Sequence, residues 1–127
     1  MKFGTFTSTV YVSDAGKKGR GVFAFQDIPA GALIERCPVV ILTKSDSKKN
    51  DRTIMRAYRF AWRDGAAVAL GYGSLYNHSE KHPNADWTSN YKDRYIEFRA
   101  AQDIVVDEEI LIDYGEKPLD LSRRKFL

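Results

Sequence analysis

Apolar positions along the chain come in short runs bounded by turn residues, the spacing of a β-rich domain. Phe6 to Val12 is β-prone, and Gly21 to Gln26 (GVFAFQ) is an apolar run opened by glycine. Ala32 to Thr43 is apolar and β-branched, with a break expected at Cys37-Pro38. Tyr95 to Arg99 alternates, and so does Glu109 to Tyr114, which sets Ile110, Ile112 and Tyr114 on one face against Glu109, Leu111 and Asp113. One helix is predicted from about Asp51 to Trp62, because Met55, Tyr58 and Trp62 fall at i, i+3 and i+7 with Ala61 alongside. Asn50 or Asp51 would cap it. The same spacing lays Arg52, Arg56, Arg59 and Arg63 along a second, basic stripe. Ala66 to Leu75 (AAVALGYGSL) reads as a short helix ending near Gly71, and Asn77 to Asn90, with Pro83, as mostly loop.

A weak internal echo accompanies this pattern. Gln26-Asp27-Ile28-Pro29-Ala30-Gly31 precedes one short strand, and Gln102-Asp103-Ile104-Val105-Val106-Asp107 precedes another. Two copies are too few for a solenoid. The 127 residues, without linker or low-complexity tract, make one domain. With 43% apolar and 29% charged residues the composition is that of a globular protein and excludes disorder. No apolar run approaches the roughly 18 residues a membrane span needs. The opening MKFGTFTSTVYV has no signal core, so a cytoplasmic location is expected. Cys37 stands alone, which removes an internal disulfide and any cysteine-based zinc cluster. The net charge of +3 permits acidic partners without naming one.

Three motifs remain as candidate chemistry. Gly19-Arg20-Gly21, after Lys17-Lys18, allows a backbone to approach a ligand closely, although alone it reads as a tight turn. Asn77-His78-Ser79 is followed by His82-Pro83-Asn84. Pro83 opposes the helix that would align His78 and His82 on a metal, so no metal is expected. Glu108-Glu109-Ile110-Leu111-Ile112-Asp113-Tyr114-Gly115 ends a strand on a tyrosine beside a glycine, a position that aims a phenol into a cleft.

Taken in order, KGRGVFAFQDIPAGALIE, ALGYGSLYNHSEKHPNA and YIEFRAAQDIVVDEEILIDYG resemble the SET domain of protein-lysine methyltransferases, in its minimal stand-alone form. The resemblance runs from about Lys17 to Gly115 and includes Tyr58 and Phe60. It implies a mainly β fold of small curled sheets with a knot-like C-terminal threading and one or two short helices. A single domain over 1–127 is expected, with 116–127 as a closing segment in place of the cysteine-rich motif of many relatives. The implied cofactor is S-adenosylmethionine, held by Lys18, Gly19, Arg20, Asn77, His78 and Tyr114. Tyr114 matches the catalytic tyrosine, and Tyr58, Ile112 and Tyr114 would line the substrate-lysine channel. Ile112 carries no hydroxyl where many relatives have an aromatic residue, so dimethylation or trimethylation is expected. The implied partner is a protein lysine, with a histone tail (H3-like) first, met by an acidic patch at Asp107, Glu108, Glu109, Asp113 and Glu116. A homodimer is also expected, and for a viral or effector protein the resemblance implies a nuclear location at host chromatin.

Two other readings compete. One is a non-catalytic SET-like module that binds a peptide. The other is a basic nucleic-acid-binding domain resting on the arginine stripe and on Arg123, Arg124 and Lys125, a contact compatible with chromatin methylation as a secondary property.

Overall fold

A computed structural model describes residues 9–115. The alternating runs become nine strands: β1 (Val10–Asp14), β2 (Arg20–Ala24), β3 (Leu33–Leu42), β4 (Arg59–Trp62), β5 (Gly65–Ala69), β6 (Asn77–His78), β7 (Ala85–Asn90), β8 (Tyr95–Ala100) and β9 (Leu111–Ile112). Strands β1 and β2 form an antiparallel pair, and the other seven form one sheet in the order β4-β5-β3-β8-β7-β9-β6. Its far edge is parallel, with Asn77 opposite Leu111 and His78 opposite Ile112. Residues 6–8 of the first predicted strand and the predicted closing segment 116–127 lie outside the described residues.

The sheet is curled. Strands β4 and β7 are separated by three others, yet the Phe60 ring meets Trp87 edge-on at 4.9 Å and Phe98 at 6.0 Å. Side chains of one face thereby close into a core that includes Ile96, Phe98, Tyr76, Cys37, Ile104, Ile110 and Ile112. The expected face of the last strand holds, since Ile110, Ile112 and Tyr114 are all buried.

Strand β3 runs through Cys37-Pro38 without the expected break. Residues Leu33 to Pro38 pair with β8, and Val39 to Leu42 pair with β5 on the other side. Pro38, which has no N–H to donate, stands where the strand changes neighbours, and its carbonyl still accepts the Leu70 N–H at 2.9 Å.

The predicted helix over Asp51 to Trp62 does not form. Thr53 instead caps a 3-10 segment, Ile54–Tyr58, and the chain then extends into β4. Phe60 and Trp62 are buried and Ala61 is exposed, so the true period there is two. The arginine stripe dissolves with the helix. Arg59 turns inward to the Ser47 carbonyl, Asn50 Oδ1 and Asp51 Oδ1. The α-helix that does form, α1 (Lys44–Lys49), buries no residue and therefore left no apolar period. Its signal was Thr43, whose hydroxyl accepts the Asp46 N–H. Ala66 to Ala69 is strand β5 rather than helix, and only Gly73–Leu75 coils, as 3-10. Asn77 to Asn90, expected as loop, holds β6 and β7.

The internal echo turns out to be a contact. Ile28 and Ile104 form a two-way bridge, each N–H reaching the other's carbonyl at 2.8 Å. Asp27 Oδ1 accepts from the Val106 N–H, and Asp103 Oδ1 accepts from the Ala30 N–H. The two turns cap each other reciprocally.

Candidate active site

The Gly-x-Gly turn, the Asn-His pair and the terminal tyrosine meet at one end of the fold. Gly19 adopts φ 81° and ψ −129°, a conformation that favours glycine, and turns the 3-10 segment Gly16–Lys18 into β2. Gly21 sits under the Asn77 and Glu109 side chains. A Cβ there would collide with Glu109 Oε2 and lie 2.9 Å from Asn77 Nδ2.

Glu109 is the clasp of this region. Its Oε1 takes the Lys18 ammonium at 2.8 Å, and its Oε2 takes the Asn77 amide at 2.8 Å. Asn77 Nδ2 also donates to the Arg20 carbonyl at 3.0 Å. Both amide hydrogens of this buried side chain are thus used internally, and among the described residues none donates to its Oδ1.

His78 and Tyr114 form the second half. The Tyr114 backbone N–H donates to His78 Nδ1 at 2.9 Å, and the two rings lie 4.8 Å apart. Nδ1 is therefore the unprotonated nitrogen of this ring. The Asp113 carboxylate, 3.9 Å from the same atom, is too far for a hydrogen bond and instead accepts the Gly115 N–H. The Tyr114 hydroxyl points inward and donates to the Tyr76 carbonyl at 2.6 Å.

Lys18, Gly19, Arg20, Asn77, His78 and Tyr114 are accordingly brought together at this end of the fold. Ile112, fully buried, pairs with both His78 and Ala85. Tyr58, half-buried, ends the 3-10 segment before β4. That strand is tied to the tyrosine end through Phe60 against Trp87, whose indole N–H donates to the Asp113 carbonyl at 2.7 Å.

In the expected acidic patch each described carboxylate accepts a hydrogen bond, and Glu109 is the one paired with a lysine. Asp107 accepts from the Tyr11 hydroxyl, Glu108 from the Val105 N–H, Glu109 from Lys18 and Asn77, and Asp113 from Gly115. Glu116 lies outside the described residues. A cleft of about 570 Å³, lined in part by Trp62, Arg63, Tyr91 and Arg94, lies elsewhere and includes none of the site residues.

Three residues have structural roles that the sequence did not reveal. Asn84, buried, donates to the Glu109 carbonyl and accepts the Leu111 N–H, and its own N–H reaches the Leu111 carbonyl. It stitches β9 beside β7. Tyr76 is fully buried, and its hydroxyl donates to Glu35 Oε1 at 2.5 Å. Glu35 also accepts the Tyr72 N–H at 3.4 Å. Burial, then the Glu35 charge, hold the Tyr76 phenol well above its usual range, and the same two causes raise the Cys37 thiol.

Comparison with known proteins places this geometry. A model of the SET domain matches residues 19–115. A Schizosaccharomyces pombe histone-lysine N-methyltransferase, H3 lysine-37 specific, is 35% identical over 118 residues, covering 91% of this chain and 80% of that protein. A candidate histone methyltransferase from Plasmodium falciparum superposes with a TM-score of 0.72 at 29% identity, over 89% of this chain and 98% of that one. A humanized mutant of the Chaetomium thermophilum Polycomb Repressive Complex 2 shares the fold, with a TM-score of 0.70 at 22% identity, over 91% of this chain and 16% of that one.

Proposed function

This chain belongs to the SET domain family, and we propose from that premise that it is a protein-lysine N-methyltransferase that uses S-adenosylmethionine and acts on a histone, H3 first. The observation that carries the proposal is the joint fixing of Tyr114 by its backbone on His78 and by its hydroxyl on the Tyr76 carbonyl. The lysine substrate is also what the S. pombe relative is named for.

The residues present fit the cofactor. Asn77 turns both amide hydrogens inward and keeps Oδ1 as an acceptor, which suits an ammonium. The side chain of Lys18 is held by Glu109, so it is the backbone of Lys18, Gly19 and Arg20 that serves the ligand. When bound, S-adenosylmethionine supplies an electrophilic methyl on a sulfonium whose charge also disfavours a lysine ammonium beside it. Free lysine has a pKa near 10.4 and must shed its proton before it attacks. Tyr58 and Ile112 contribute apolar wall to the channel, which favours the neutral amine. The Tyr114 hydroxyl orients that amine next to the Tyr76 carbonyl, and alignment of this kind is worth up to several kcal/mol. Tyr114 removes no proton, since its hydroxyl is itself a donor here.

Ile112 offers no hydroxyl to hold a water against a larger amine, so the product series extends past monomethyl-lysine. The protein acts as a homodimer, and any nucleic-acid contact is secondary. The test is transfer of labelled methyl groups to core histones, comparing the wild type with Tyr114→Phe and weighing the product by mass spectrometry. Label on histone H3 that falls at least 100-fold in the variant, with dimethyl or trimethyl product, is the expected result. Cofactor binding without transfer to any lysine favours the peptide-binding module instead.

A further inference from the structure

We propose that Glu35 is a positioning residue for the Tyr114 hydroxyl, acting through Tyr76. The inference rests on the methyltransferase reading and adds a residue to it that lies 79 positions from Tyr114 in the chain.

The relay has two hydrogen bonds. Tyr76 donates its hydroxyl to Glu35 Oε1 at 2.5 Å, and its carbonyl accepts the Tyr114 hydroxyl at 2.6 Å. The side chain and the backbone of one residue thus join a carboxylate on β3 to the phenol after β9. A short bond from a hydroxyl to an ionised carboxylate is among the stronger contacts of a protein interior.

The β3 bulge is what turns the carboxylate inward. The register with β8 shifts between Leu33, opposite Arg99, and Glu35, opposite Phe98. Ile34 is the extra residue. Glu35 and Cys37 then face the same side as the buried Phe98 and Ile96. A carboxylate there needs partners, and it has the Tyr76 hydroxyl and the Tyr72 N–H.

The glycine-rich segment wraps around it. Gly71 has φ +65°, and a Cβ at that position would stand 2.9 Å from Glu35 Oε2. A Cβ on Gly73 would stand 2.9 Å from Cys37 Sγ and 3.2 Å from Phe98. Gly71 and Gly73 let Gly71-Tyr72-Gly73 pass close to this pair and, at Gly73, close to Ala69, whose Cβ would stand 2.6 Å from an added one, a use that neither the cofactor nor the lysine channel accounts for.

The consequence is local. Asn77 is tied to Glu109 and Arg20, and His78 to Tyr114, so Tyr76 is the member of Tyr76-Asn77-His78 whose anchor reaches across to β3. Releasing that anchor frees the carbonyl on which the Tyr114 hydroxyl rests.

The experiment compares Tyr76→Phe, Glu35→Gln and the double variant with wild type. Tyr76→Phe keeps the buried ring and removes the hydroxyl. Glu35→Gln keeps an acceptor but presents a donor to one of the two groups the carboxylate served. Methyl transfer to core histones, cofactor affinity by calorimetry, and the 13Cζ resonance of Tyr114 in tyrosine-labelled protein are measured together. The expected result is a fall in kcat of at least 10-fold in each single variant, cofactor affinity within 2-fold, and a double variant no worse than the poorer single one. The Tyr114 resonance shifts in all three. An unmoved resonance, or full kcat with only a lower Tm, overturns the relay and leaves the methyltransferase reading intact. A wild type that transfers no methyl group overturns that reading, and the resonance then still decides whether Glu35 positions Tyr114.

Discussion

The backbone N–H of Tyr114 is held by His78 Nδ1 at 2.9 Å, so the strand-end tyrosine is positioned by a side chain 36 residues earlier. Parallel pairing of His78 with Ile112 sets up the contact. His78→Phe keeps a ring against Tyr114 and deletes the acceptor. An orphaned buried N–H costs about 1–3 kcal/mol. Urea unfolding is expected to register that loss, and methyl transfer to fall at least 10-fold. Unchanged stability and rate would show that the contact is incidental.

Gly21 and Gly16 separate the two reasons for glycine in this turn. A Cβ on Gly21 meets Glu109 Oε2 and Asn77 Nδ2, whereas Gly16, at φ +71°, has nothing within 4 Å. Gly16→Ala is expected to cost only the left-handed backbone term, about 1 kcal/mol. Gly21→Ala should cost about 1–3 kcal/mol through overpacking and also weaken S-adenosylmethionine binding at least 10-fold. Calorimetric titration of both variants distinguishes them, and equal cofactor affinity would show that the close fit of Gly21 under Asn77 does not serve cofactor binding.

Asn84 holds β9 in place with two side-chain hydrogen bonds, 2.9 Å to the Glu109 carbonyl and 2.7 Å from the Leu111 N–H. Asn84→Ala leaves two backbone groups unsatisfied, a loss of about 2–5 kcal/mol. Asn84→Asp keeps the acceptor and loses the donor, so its midpoint in urea should fall between those of wild type and Asn84→Ala. An Asn84→Asp protein as weak as Asn84→Ala would contradict this division.

Alkaline pH should destabilise the fold through Tyr76 and Cys37. Burial first, and the Glu35 charge second, raise both groups above their unfolded values. Unfolded cysteine and tyrosine titrate near 8.5 and 10. Below about pH 8 both states hold these protons and the stability is fully present. As pH rises past those values the unfolded chain releases protons the folded chain retains, and stability declines until the folded groups titrate. Tyr76→Phe and Cys37→Ala are each expected to flatten the decline between about pH 8.5 and 10.5 in urea unfolding. A slope identical to wild type in both would remove these groups as its cause.

The sequence by itself determined the class of the fold and the motifs that the fold brings to one end. The order Gly-Arg-Gly, Asn-His-Ser, Asp-Tyr-Gly named the family without coordinates, and the alternation of Ile110, Ile112 and Tyr114 named a buried face. Even the echo of Asp27-Ile28 in Asp103-Ile104 was legible, although its meaning, two turns capping one another, was not. Tertiary structure decided the rest. Met55, Tyr58 and Trp62 keep helical spacing, yet the gain from pairing β4 with β5 and burying Phe60 and Trp62 outweighs it. Local periodicity scores a segment against its own neighbours, and a strand is stabilised by residues far along the chain. The same limit hid Glu35 and Tyr76, 41 positions apart, and Asn84 and Glu109, 25 apart. Each draws no notice in the sequence until the curled sheet brings it to its partner, with Tyr76 and Asn84 buried and Glu35 and Glu109 half-buried, and that shielding is what makes their hydrogen bonds decisive.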